Sequence, residues 1–259
     1  MSDISLFMIH GMWGGAWHWD NYRDYFQPKG YRCRIPTLRH HDILPGEKPN
    51  PALGTTSLLD YLEDLQLEIC SLKEKPVILG HSMGGLLAQM LASRNLARAL
   101  VLLTPAAPAG ISSLRLSVIK GFLSIQTQWG FWKKPVRQTF REASCTLLHN
   151  LPPAEQKKVY ARSGYESGLA ATQIGYWFLD RRHTTRIDEN QVKCPVLIIA
   201  GGQDRMTPVS VVRKIYKKYK NVSVYREFDH HSHWLLSEPG WDGVAEFIAE
   251  WLEETLISN

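Results

Sequence analysis

The chain has 259 residues, 44% of them hydrophobic, with 30 basic and 25 acidic side chains and a formal charge of +5. That length can bury a substantial core in one large domain or one domain with an insertion, and the small charge excess, spread along the chain, argues against a nucleic-acid partner. The four cysteines, Cys33, Cys70, Cys145 and Cys194, are too far apart for a small disulfide scaffold, and no apolar run nears the ~20 residues of a membrane span.

The first predicted strand, Ile4 to Ile9, begins so close to Met1 that no signal segment fits before it, so a cytoplasmic protein is expected. It runs into His10-Gly11-Met12-Trp13-Gly14-Gly15, where glycines would let backbone N–H groups face inward. A helix is predicted over Trp17 to Phe26, a short strand over Tyr31 to Ile35 and a helix over Ser57 to Leu72.

The apolar run Val77-Ile78-Leu79 then meets Gly80-His81-Ser82-Met83-Gly84, a G-x-S-x-G pattern. Such a pattern sets a serine on a strained strand-to-helix turn, where a histidine can take its proton. By chance it should occur roughly 0.1 times in a chain this long. Alone, a glycine-rich turn without chemistry would read the same way, so the context decides. A helix is predicted over Leu86 to Ser93 and a strand over Ala99 to Leu103.

After Pro105 to Gly110 the alternation of strand and helix stops, and helix-like stretches rich in aromatics continue to Asp188. Residues 111–188 are therefore expected to form a helical cap inserted into a core made of 1–110 and 189–259. Trp129, Phe131, Trp132, Tyr160, Tyr165, Tyr176, Trp177 and Phe178 could line an apolar pocket over the serine, but most of them are expected to pack with each other; Trp129 and Trp177, with Trp13 from the first loop, are singled out as candidates for a substrate-pocket wall.

Pro195 to Ala200 reads as a buried strand ending at Gly201-Gly202-Gln203-Asp204, which puts a carboxylate at a strand's C-terminal edge. In Val209 to Tyr219, Val211, Val212, Ile215 and Tyr219 recur at helical spacing, so the lysines there form a solvated face. Val222 to Phe228 alternates as a last strand, followed by His230, His231 and His233, and a helix from Trp241 to Leu256 closes the chain. Serine, acid and histidine thus follow in the order Ser, Asp, His, with three histidines competing for one role. Strands alternating with helices imply a mostly parallel sheet covered on both faces, an α/β fold.

With the H-G of the first loop, G-H-S-M-G-G, G-G-Q-D and the late S-H-W in place, the chain resembles α/β-hydrolase-fold serine hydrolases over nearly its whole length. The run from His10 to Trp19 is also similar to small esterases related to plant methylesterases and hydroxynitrile lyases. The resemblance implies a central sheet with a helical cap and no metal or organic cofactor. It assigns Ser82 as nucleophile, Asp204 as the orienting acid and the N–H groups of Met83 and of Met12 or Trp13 as the oxyanion hole. In such proteins an aromatic or apolar residue and then a Glu-Pro commonly follow the base, and His233-Trp234 with Glu238-Pro239 fits that pattern.

The implied activity is hydrolysis of carboxylic esters with small or medium apolar acyl groups through an acyl-enzyme. A C–C bond hydrolase, thioesterase or perhydrolase could use the same triad. A serine rather than an aspartate at the elbow argues against dehalogenase and epoxide hydrolase chemistry. Related lyases carry a lysine beside the base where this chain has Trp234. A ligand receptor that kept the fold is the non-enzyme alternative. Neither His40-His41-Asp42 nor the cluster at 229–233 has the spacing of a usual metal motif.

Overall fold

A computed structural model describes residues 4–113 and 115–256. The elements follow in the order β1 (Ser5–Ile9), α1 (Asp20–Phe26), β2 (Arg32–Arg34), α2 (Leu58–Cys70), β3 (Val77–His81), α3 (Met83–Ala92) and β4 (Ala99–Leu103). Then come α4 (Leu116–Gly121), α5 (Leu123–Gln126), β5 (Pro135–Val136), α6 (Phe140–Thr146), α7 (Pro153–Arg162), β6 (Glu166–Ser167) and α8 (Gly168–Gly175). The chain ends with β7 (Val196–Gly201), α9 (Val209–Tyr219), β8 (Ser223–Phe228) and α10 (Trp241–Leu256).

Six strands form one sheet in the order β2-β1-β3-β4-β7-β8, and each neighbouring pair is parallel. Because side chains alternate along a strand, the buried strands feed two cores. Phe7, Ile9, Ile78, Leu100, Leu102 and Ile198 pack on one face with residues of α2, α3 and α9. Leu6, Met8, Leu79, Val101, Leu197 and Ile199 pack on the other with residues of α1 and α10. The continuous apolar runs of β3, β4 and β7 reflect strands covered on both sides; at the edge, β8 alternates between half-buried and exposed positions over Ser223 to Glu227.

Between β4 and β7 the chain leaves the sheet. The stretch consists of short helices and the antiparallel pair β5–β6, with Val136 opposite Glu166. Side-chain caps start two of these helices: Thr139 and Glu142 form a reciprocal box at α6, as Ser57 and Asp60 do for α2 in the core, and the Ser167 hydroxyl accepts the Ala170 N–H at α8.

Close backbone approach explains the glycines around Ser82. A Cβ on Gly80 would lie 2.4 Å from the Gly84 carbonyl oxygen, and one on Gly84 would lie 2.2 Å from the Ile9 carbonyl oxygen. α3 therefore packs directly against the first strand's backbone. Gly84→Ala is expected to destabilise the fold by about 1–3 kcal/mol through overpacking against immobile carbonyls. Urea denaturation checks this; an unchanged midpoint would contradict so tight a contact.

Candidate active site

Ser82 follows β3 directly and precedes α3, with φ 55° and ψ −118°. A non-glycine residue held there stores about 1–3 kcal/mol of strain, which the surroundings must fix. They do so by hydrogen bonds: the Ser82 N–H donates to the Leu103 carbonyl at 3.1 Å, and its own carbonyl accepts from Gly85, Leu86 and Ala106 at 2.9, 3.2 and 2.8 Å. The side chain is left half-buried at the wall of a cavity. Met83, the first residue of α3, has its N–H among the helix-start donors that lack an intrahelical acceptor.

The carboxylate of Asp204 lies after β7, across the sheet's C-terminal edge, and is buried. Its Oδ1 accepts the N–H groups of Met206 and Thr207 at 2.7 and 2.8 Å. Its Oδ2 lies 2.8 Å from the Thr207 hydroxyl and 2.7 Å from Nδ1 of His233. Burial would raise this acid's pKa, but the adjacent His233 and the Thr207 donors hold it below the ordinary aspartate value. An ionised Asp204 therefore accepts the Nδ1–H of His233, so that Nε2 is the ring nitrogen not engaged by the acid.

Three contacts hold the loop bearing His233. The His81 ring donates from Nε2 to the His233 carbonyl at 2.9 Å, and the two rings lie 4.9 Å apart. Glu238 accepts the Ser232 N–H at 2.7 Å and its hydroxyl at 2.8 Å, so the glutamate of the Glu-Pro pair clamps the residue preceding His233. The Trp234 ring packs edge-on against His18 at 4.7 Å.

The other histidines of the loop stand apart. His230 is exposed, its carbonyl accepting from Asn150 at 3.0 Å. His231 packs its ring on Phe228 at 5.5 Å. Among the described residues, no group of three His, Cys, Asp or Glu side chains is arranged to hold a metal ion.

Met12, Trp13, Met83, Ser82 and His233 all line one cavity. Trp13, at φ 60°, is fixed by its indole N–H donating to the Val136 carbonyl at 3.2 Å and by its carbonyl accepting from Gly164 at 2.8 Å. The outer wall comes from the stretch between β4 and β7 and is mostly apolar, with Phe122, Ile125, Leu147 and Ile174.

Two expected wall residues lie elsewhere. Trp129 is 88% exposed, pushed outward by the turn at Gly130 (φ 75°), with its ring against Trp132 at 5.5 Å. Trp177 packs edge-on against Phe178, outside the cavity lining. Their places are taken by Phe131, Tyr160 and Tyr176 and by Phe122, which sits between α4 and α5 and was not anticipated. Thr207 was likewise not anticipated; the Asp-x-x-Thr spacing that lets its N–H and hydroxyl return to Asp204 was the only signal available.

Comparison with known proteins agrees with this architecture. No curated protein matches the chain significantly in sequence. Among solved structures, a methylesterase from Arabidopsis superposes with a TM-score of 0.73 at 12% identity, covering 96% of this chain and 99% of its own. A pyrethroid hydrolase from Sphingobium faniae gives 0.71 at 17% identity with both chains covered completely. Tomato methylketone synthase I, bound to 2-tridecanone, gives 0.72 at 14% identity, covering 98% of this chain and 100% of its own. At these identities the likeness speaks for the fold. A family profile described as "Alpha/beta hydrolase family" matches residues 6–247, from the first strand to the last helix, and by that match the chain belongs to the alpha/beta hydrolase family.

Proposed function

We propose that the protein is a serine hydrolase that cleaves carboxylic esters with small or medium acyl groups of apolar body through an acyl-enzyme on Ser82. The observation that carries this reading is the buried 2.7 Å hydrogen bond between His233 and Asp204, with His233 and Ser82 lining one cavity. In this reading the Ser82 oxygen attacks the ester carbonyl while its proton passes to Nε2 of His233. Asp204 holds the ring's tautomer and stabilises the imidazolium. The N–H groups of Met83 and of Met12 or Trp13 bind the oxyanion. His233 returns the proton to the departing alcohol, and water, activated by the same base, releases the acid.

Residues 1–110 and 189–259 act in this proposal as the catalytic core, and 111–188 as a cap whose apolar side chains cover the acyl group. The printed names of two structural neighbours, a methylesterase and a pyrethroid hydrolase, favour ester cleavage. Methylketone synthase I shows that the fold also serves other chemistry.

The test is turnover of p-nitrophenyl acetate and butyrate by the wild type and by Ser82→Ala. Wild-type hydrolysis far above the variant's is expected; equal rates would end the reading.

A further inference from the structure

The cavity that holds Ser82 and His233 is walled mainly by apolar side chains, yet among the described residues one arginine, Arg137, also lines it, with no lysine, aspartate or glutamate beside it. Arg137 directly follows β5. The preceding residue, Val136, accepts the indole N–H of Trp13 through its carbonyl, so the arginine is anchored to the loop next to the serine. Its guanidinium lies over the Tyr160 ring at 4.4 Å and donates from Nη2 to the Tyr160 carbonyl at 2.7 Å. The Tyr165 ring lies 6.0 Å away.

These contacts hold the planar group in one orientation without neutralising it. Among the described residues no carboxylate forms an ion pair with Arg137, and its buried Nε has no hydrogen-bond partner. A permanent cation on an apolar wall with donors to spare is poorly compensated by the protein alone. Nε is shut off from the cavity, so an anion entering it would supply the missing countercharge at the terminal N–H groups not used on Tyr160, and a carboxylate suits such planar donors.

We propose that Arg137 recognises a carboxylate on the substrate, so that the ester cleaved carries an acid group beyond its apolar body. This rests on the ester-hydrolase reading above and narrows its substrate to anionic esters. The carboxylate could sit on the acyl or on the alcohol side, and paired substrates separate the two. Mono-p-nitrophenyl glutarate is set against p-nitrophenyl pentanoate for the acyl side, and 4-acetoxybenzoate against phenyl acetate for the alcohol side.

In one of these pairs, the ratio of kcat/KM for the anionic to the neutral ester is expected to fall by about tenfold or more from wild type to Arg137→Gln, with Arg137→Lys between them. The ratio is internal to each variant, so partial unfolding cancels. Ratios unchanged by Arg137→Gln in both pairs would overturn the proposal.

Calorimetry on Ser82→Ala separates this outcome from failure of the hydrolase reading. Monomethyl glutarate should bind more tightly than methyl pentanoate if the carboxylate lies on the acyl side, or 4-acetoxybenzoate more tightly than phenyl acetate if it lies on the alcohol side, and the difference should vanish in Ser82→Ala/Arg137→Gln. That result without wild-type turnover would uphold the anion site and reject the hydrolase. Turnover with equal affinities and unchanged ratios would reject the anion site and uphold the hydrolase.

Discussion

His233→Ala is expected to lower kcat for p-nitrophenyl butyrate by about 10⁴–10⁶-fold, whereas His230→Ala should leave it nearly unchanged. Three histidines within four positions look equivalent in sequence, but their surroundings differ. His233 is buried, with Nδ1 committed to Asp204 and its carbonyl to His81, and it lines the same cavity as Ser82. His230 is exposed and contributes a carbonyl to Asn150. His231 packs against Phe228 and lines no part of the cavity. Members of a proton-transfer set act as a unit, so losing the base should abolish nearly all the acceleration the serine supplies. Measuring kcat for the three alanine variants under one set of conditions decides the matter. A larger loss for His230→Ala or His231→Ala than for His233→Ala would remove His233 from the role of base.

The inner strands β1, β3, β4 and β7 were readable because they are short, nearly uniform apolar runs, and the edge strand β8 because its residues alternate. Ala99–Leu103 is observed with the predicted limits, and the other strands differ by one or two residues at their ends. Helices on the sheet were equally legible where their apolar residues recur strongly, as in Val209–Tyr219 and Trp241–Leu256. The helix predicted from Leu86 starts three residues earlier, at Met83, because two glycines inside it weaken the local signal while close packing on β1 makes them necessary. Likewise, Trp17 to Phe26 splits into a 3-10 turn and a helix.

The cavity wall was not readable in the same way. It is built from helices as short as the four-residue α5 and from turns between them, where no periodicity assigns a facing direction. Trp129 and Phe131 lie two residues apart, yet one is 88% exposed and the other lines the cavity, because Gly130 reverses the chain between them. Arg137 gave no signal either, since its unpaired state depends on which carboxylates the fold leaves out of its reach. The Glu-Pro pair after His233, seen in sequence only as a pattern, has a physical reason in the Glu238 clamp on Ser232.

Stability is expected to fall steeply as the pH drops below about 6.5, because buried histidines behind the site resist protonation. His10 and His81 are pushed down to about 3, first by burial and then by neighbouring histidines, and His18 lies well below its ordinary value for the same reasons. The His10 and His18 rings are 5.9 Å apart, and His18 and His81 are 6.2 Å apart. In the unfolded chain these imidazoles take up protons near pH 6.5, whereas the folded protein holds them neutral until the pH is far lower. Below about 6.5 the unfolded state therefore binds more protons, and each such histidine removes up to about 1.4 kcal/mol of stability per pH unit. The three together reach about 4 kcal/mol per unit, which within two to three units is comparable to the about 5–15 kcal/mol of a typical domain.

His41 works in a different window. Burial opposes its charge, but Glu166, 3.2 Å away, raises its pKa above the ordinary value. Its contribution is fully present below about pH 6.5 and is lost as the pH rises through the folded value, so it does not offset the acid slope. Asp204, with its pKa lowered, contributes above about pH 3.9 and is lost only below that. Between these limits the slope belongs first to the fully buried His10, His18 and His81, and the half-buried His149 and His231, whose pKa values burial also lowers, add to it with the same sign. Urea denaturation followed by tryptophan fluorescence between pH 7.5 and 4.5 measures it directly. Replacing His18 with asparagine, which does not titrate, should flatten the slope by at most about one third, since one of its main proton-linked contributions is gone. A stability that stays level from pH 6.5 to 5 would mean that these rings are not held neutral in the fold.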